Sequence, residues 1–152
     1  TTQCRLDEVL PPLLSAMRRL HPGKQFEFVA LDAAESSWPL DPVDFAELLS
    51  ILLDNAGKWS RRNIVVELTG NTEMLQLRIV DDGPGLAPEN TVTAFEIGTR
   101  FDPSKPGSGL GLAIAHDIAQ AYDLQIALGA RSDGRSGLEA RITVTLAAAP
   151  TA

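Results

Sequence analysis

The sequence predicts one α/β domain, and three observations carry that expectation. Three stretches space their apolar residues at helical intervals, at 6–20, 41–59 and 109–122. Five others alternate or run apolar as strands do, at 24–31, 63–69, 73–81, 124–128 and 138–146. Two glycine motifs flank a long loop of weak periodicity, 84–106, and a loop of that length inside a compact domain usually serves function. A chain of 152 residues is large enough for one real core. We expect a single domain over 1–146 and a disordered tail over 147–152.

In chain order, Leu6, Val9, Leu10, Leu13, Leu14, Met17 and Leu20 make the stripe of a first helix. The Pro11-Pro12 pair inside it is expected to kink it or delay its start. His21-Pro22-Gly23 ends it. The strand at 24–31 puts Phe26 and Phe28 on one face, and a short strand is expected near Ser37 and Trp38. Asp41-Pro42 is a strong helix start, with a capping carboxylate and a proline in the first turn. The helix that follows has Phe45, Leu48, Leu49, Leu52, Leu53 and Ala56 as one apolar stripe. Ile51, Asn55 and Lys58 fall along its flank, where a helix can be packed and still reach a ligand.

The strands at 63–69 and 73–81 are joined through Gly70-Asn71, a good hairpin turn. The helix at 109–122 is expected to bury Ile114, Ala115, Ile118 and Tyr122. Two more strands follow, separated by the polar, glycine-bearing turn 129–137.

Composition excludes several classes. The apolar content of 44% fits a soluble globular chain. No apolar run approaches the roughly 20 residues a membrane span needs, and the first residues lack a signal-peptide pattern. One cysteine, Cys4, excludes an internal disulfide and a cysteine-cluster metal site. A reducing, cytoplasmic setting is expected. Net charge is −7 without a basic stripe, so nucleic acid is not an expected partner.

The chemistry gathers around Gly107-Ser108-Gly109-Leu110-Gly111-Leu112. Glycine lets the backbone lie close against a ligand. The helix that follows offers unpaired N–H groups and a partial positive charge, a seat for phosphate. Such a glycine run also occurs in plain tight turns. Upstream, the strand at 73–81 ends in Asp81-Asp82-Gly83-Pro84-Gly85, and the helix at 41–59 ends in Asp54-Asn55-Ala56-Gly57-Lys58-Trp59. Asn55 offers an amide oxygen suited to Mg²⁺ among phosphate oxygens. Lys58, one turn on, is a point charge for phosphate or a solvated surface lysine. Asp81 can accept a hydrogen bond from an exocyclic amine or form a turn, and Asp82 reads more as the turn former.

In that order the three motifs resemble the N, G1 and G2 boxes of the GHKL ATPase superfamily. They look most like the catalytic, ATP-binding domain of sensor histidine kinases. The likeness covers about 41–146, and the wording DNAGKW, DDGPG and RFDPSKPGSGLGLAIA is similar to the PhoQ-type branch. The resemblance implies the GHKL (Bergerat) fold: an α/β two-layer sandwich with a mixed sheet of about five strands, three helices on one face and an ATP lid. It implies ATP and Mg²⁺, with Asn55 as the metal ligand and Lys58 on the phosphates. Asp81 would read the adenine amino group, and Gly83 and Gly85 would keep the base wall clear of side chains. Gly107, Ser108, Gly109, Leu110, Gly111 and Leu112 would hold the phosphates.

Trp59 reads equally as core packing or as the family's aromatic flanking the nucleotide. Phe95 resembles the aromatic that ties the lid to the domain. Arg100 and Lys105 would close on the γ-phosphate, although Lys105 reads as well as an exposed loop lysine. Thr143 matches a family threonine near adenine by position alone. The catalytic set is then Asn55, Lys58 and Arg100.

Neither histidine has the acidic-flanked helical setting of a phospho-acceptor. His21 sits in a turn, and His116 is expected on the surface of its helix. The acceptor is expected on a dimerisation domain N-terminal to this segment, in a homodimeric, inner-membrane parent that feeds a response regulator receiver domain. This segment alone is expected to be monomeric. One departure stands out. Ile51 takes the place of a second asparagine one turn before Asn55, where hydrolysing members keep a glutamate base. That argues against water as nucleophile. The rival functions are a hydrolysing ATPase clamp, an anti-sigma-type serine kinase and a non-catalytic nucleotide-binding regulator.

Overall fold

The computed structural model describes residues 2–31, 37–96 and 110–146. Its frame is a five-stranded mixed sheet built by alternation. The strands are β2 (Gln25–Ala30), β4 (Asn63–Gly70), β5 (Met74–Asp81), β6 (Gln125–Ala130) and β7 (Leu138–Thr145), in the order β2-β4-β5-β7-β6. β2 runs parallel to β4 and every other pair is antiparallel. Ile64, Val66, Leu68, Leu75, Leu77, Ile79, Ile142 and Val144 are buried on one face, as a period of two requires. Glu67, Gln76, Arg78, Arg141 and Thr143 lie on the other face, where Arg78 pairs with Glu67.

Helices α1 (Leu6–Leu20), α2 (Pro42–Trp59) and α4 (Gly111–Ala121) form the second layer, with α2 packed between α1 and α4 and against β5. The sandwich expected from the sequence is the one observed. α2 starts as its sequence dictates: Asp41 accepts from the Val43 N–H at 2.8 Å, with Pro42 in the first turn. All six residues of its apolar stripe are buried. A two-residue ladder pairs β1 (Cys4–Arg5) with β3 (Ser37–Trp38), beside the core residues Trp38 and Phe45.

Three expectations are corrected. α1 begins at Leu6, ahead of Pro11 and Pro12, so the prolines do not delay its start. Both are exposed, where water can satisfy the carbonyls that lose their donors. α4 does not bury Ile114, which is 40% exposed; Ala113, Ala115 and Ala119 line its buried face, with Ile118 and Tyr122 partly covered. Alanines bring the helix close to its neighbours, and the larger aliphatic is left at the margin. Within 84–106, read as loop, Pro88–Thr93 forms the short helix α3, opened by its proline.

Candidate functional site

The sheet and the helical layer meet in a small cleft at the C-terminal ends of α2 and β5. Asn55 and Trp59 from α2, Asp81 from β5, Gly85 and Leu86 after it, Leu112 from α4 and Leu138 from β7 line this cleft. The strand ladders explain why Asp81 is there. Asp81 is in register with Ile64, on the face that turns toward the helices.

Asp81 is 2% exposed. Its Oδ1 accepts from the Gly83 N–H at 2.9 Å and from the Leu138 N–H at 3.1 Å. Burial pushes its carboxyl above the ordinary value of 3.8, and the two N–H groups pull it back only in part. Among the described residues none donates to Oδ2, the acceptor that Asp81 has left to offer the cleft. The Arg131 guanidinium donates to the Asp81 carbonyl at 3.0 Å and is itself held by Asp133.

Asp82, next in sequence, does structural work. It accepts from the N–H groups of Arg61 at 2.7 Å, Arg62 at 3.0 Å and Asn63 at 3.1 Å, pinning the α2–β4 turn. Partial burial acts upward on its carboxyl, but these N–H groups outweigh it and the pKa is lowered. The sequence reading of Asp82 as the turn former agrees.

The glycines have a sharper role than a clear base wall. A Cβ on Gly83 would stand 2.1 Å from the Trp59 carbonyl oxygen, so this glycine lets the β5 end dock on the end of α2. Gly85 has φ +74°, and a Cβ there would lie 2.8 Å from the Gly137 carbonyl oxygen. Gly137, which sequence reasoning passed over, has φ +144° and would drive a Cβ to 1.9 Å from the Asp81 carbonyl oxygen.

Asn55 and Trp59 are half-buried in the cleft wall. Lys58 is 27% exposed, with Nζ 3.2 Å from Asp54 Oδ2. Leu110 precedes α4 and contributes no side-chain cap. Leu112 lines the cleft, and Gly111 opens α4 against Ile51, whose Cγ2 would be 3.4 Å from a Cβ at 111. Ile51 therefore faces the start of α4. Phe95 packs on the core and sets its ring 5.5 Å from that of His116. His116 is thus a half-buried contact for the segment after α3, a correction to its surface reading. Arg100, Lys105, Gly107, Ser108 and Gly109 lie outside the described residues.

Thr143 is not in the site. It pairs in register with Gln76, whose Nε2 donates to its Oγ1 at 3.2 Å, on the sheet face away from the helices. Ile142 and Val144 take the core side, so alternation excludes Thr143 from the cleft. β7 reaches Asp81 through Leu138, which the sequence reading missed; its place as first residue of that strand was the available signal. The described residues hold no cluster of three His, Cys, Asp or Glu that could hold a metal ion. Asn55 supplies one neutral oxygen, a donor suited to sharing Mg²⁺ with phosphates rather than holding it alone.

Residues 40–150 match the family model described as histidine kinase-, DNA gyrase B- and HSP90-like ATPase. The chain belongs to this ATPase family. It is 38% identical over 122 residues to the sensor protein kinase CarS of Pseudomonas aeruginosa, covering 80% of this chain. It is 31% identical over 132 residues to the sensor protein PhoQ of Escherichia coli, covering 86%. It spans 27% of the length of each of these relatives. The mycobacterial sensor histidine kinase MprB superposes with a TM-score of 0.83 at 26% identity, covering 95% of this chain and 96% of that one. Family membership and a fold shared with sensor histidine kinases bear out the resemblance drawn from the three motifs. No helix among the described residues is long and apolar enough to cross a membrane.

Proposed function

We propose that this domain binds Mg-ATP in the cleft and passes the γ-phosphoryl group to a histidine on a separate dimerisation domain of a two-component sensor kinase. The observation that carries the reading is Asp81: a buried carboxylate with one oxygen pinned by two backbone N–H groups and the other left to the cleft. Fixed in this way, it is an acceptor for the adenine amino group and a poor partner for the guanine carbonyl at the same ring position.

Trp59, Leu86, Leu112 and Leu138 supply the apolar walls a base requires. Asn55 holds Mg²⁺ jointly with the phosphates, the ion screening their charge. Lys58 contacts the phosphates, and the Gly107–Leu112 segment offers N–H groups at the start of α4. Phe95 anchors the lid, and Arg100 and Lys105 close it on the γ-phosphate. The domain supplies positioning and charge, and the other domain supplies the nucleophile in line. Ile51 puts no base at the position where hydrolysing members keep a glutamate, which disfavours the hydrolysing ATPase and the serine kinase. The parent is a homodimer anchored in the inner membrane, its catalytic domain is cytoplasmic, and its phosphohistidine feeds a response regulator.

Calorimetry with Mg²⁺ and non-hydrolysable ATP and GTP analogues tests the site. Clear preference for the adenine nucleotide is expected. Equal affinity for both, or none for either, would remove Asp81 from the role given it.

A further inference from the structure

Glycine is among the poorest helix formers, yet Gly57 lies buried in the last turn of α2. The neighbouring helix explains it. A Cβ at 57 would stand 2.5 Å from Cδ2 of His21, the residue that closes α1. The His21 ring occupies this space, tilted 39° against the Phe26 ring at 6.2 Å, and its side chain is only 14% exposed. Its Nε2 donates to Asp54 Oδ1 at 2.8 Å. The other oxygen of Asp54 meets Nζ of Lys58 at 3.2 Å. One carboxylate thus joins two partners, one on each oxygen, and the helix gives up a side chain at 57 to admit the first of them.

We propose that His21 and Asp54 form a clamp that positions Lys58 for the nucleotide phosphates. The clamp rests on the reading of Lys58 as a phosphate-binding group. A lysine ammonium has three donors, so one can stay on Asp54 while the others reach phosphate oxygens. Its four-carbon stem otherwise loses rotamer freedom on binding, and a group held beforehand loses less. Asp54 is 38% exposed; the imidazole, 14% exposed, fixes one oxygen and so aims the other. His21 is a positioning residue, 33 positions from Asp54 in sequence and at the C-terminal cap of another helix.

The test compares ADP with adenosine on the whole chain by calorimetry, since the dissociation constant of adenosine divided by that of ADP isolates what the phosphates contribute. Lys58→Met lowers this ratio. His21→Phe keeps an aromatic ring against Gly57 and Phe26 but has no N–H; it lowers the ratio about threefold or more, the scale for coupled neighbours, and leaves adenosine affinity unchanged. His21→Gln keeps a donor and restores most of the ratio. Adding His21→Phe to Lys58→Met lowers the ratio no further.

A full ratio in His21→Phe, an equal loss for adenosine and ADP, or the same further loss on the Lys58→Met background overturns the clamp. An unchanged ratio in Lys58→Met instead removes the phosphate role of Lys58, and the clamp falls with it. The unmutated chain gives an independent arm by NMR. The His21 Nε2 resonance moves on ADP addition and not on adenosine addition, and a resonance indifferent to ADP overturns the proposal.

Discussion

Replacing Asp81 with Asn separates recognition from folding. In the folded chain, Asp81 Oδ1 accepts from two backbone N–H groups. An asparagine carbonyl can take over both bonds, because it keeps two lone pairs at that atom. Its amide NH₂ then falls where Oδ2 was, and the cleft presents a donor to the adenine amine in place of an acceptor. Leaving that polar pair unmade in a buried site costs about 1–3 kcal/mol, or roughly 5- to 150-fold in dissociation constant.

Stability moves the other way. Asp81 has a folded pKa raised above 3.8 by burial. The folded state therefore holds its proton more tightly than the unfolded chain does. The resulting stability is full below 3.8 and is lost as pH rises through the raised value. Asp81→Asn removes that loss, so at neutral pH its melting temperature equals or exceeds that of the parent. Calorimetry with an ATP analogue and a thermal melt on the same sample give the answer. Undiminished ATP affinity would remove Asp81 from adenine recognition, and a variant that melts well below the parent would show that the buried carboxylate stabilises the fold.

Three further substitutions probe the frame of the site. Asp82→Ala strips the acceptor from three backbone N–H groups in the α2–β4 turn and is expected to destabilise by about 1–3 kcal/mol in denaturant titration. The stability Asp82 supplies is full above pH 3.8 and is lost as pH falls through its lowered value, opposite in sign to Asp81. Gly83→Ala forces a methyl to 2.1 Å from the Trp59 carbonyl oxygen. It should destabilise by about 1–3 kcal/mol or more, with a shifted Trp59 fluorescence; a melt within error of the parent contradicts the docking role. Thr143→Val removes only the bond to Gln76 on the far face of the sheet, so nucleotide affinity should not change, and a loss beyond twofold would place Thr143 back in the site.

The sequence made most of the frame legible because its signals were redundant. α2 has a capping aspartate, a first-turn proline and a six-residue stripe, and each marks the same helix. β4, β5 and β7 alternate cleanly, and the same alternation decides that Thr143 faces away once Ile142 and Val144 are assigned to the core. α4 was harder to orient, since alanines carry its buried face and a hydrophobicity reading favours Ile114 over them. Turn chemistry marks Asp82 as the turn former, as observed, yet the partners that fix Asp81 and Asp82, Leu138 and the turn at Arg61, lie 57 and 21 residues away. No local pattern reports such distances. The same holds for His21 and Asp54, for which Gly57 inside a helix was the one local sign.

The proposed function makes this domain the holder of the phosphoryl donor and puts the accepting histidine on another domain. Incubating the chain with γ-labelled Mg-ATP, with and without a histidine-bearing dimerisation domain of a related sensor kinase, tests it most directly. No label on the chain alone, little release of inorganic phosphate, and acid-labile label on the added domain are expected. Acid-labile label on this chain by itself, or steady phosphate release like that of a dedicated ATPase, would contradict it.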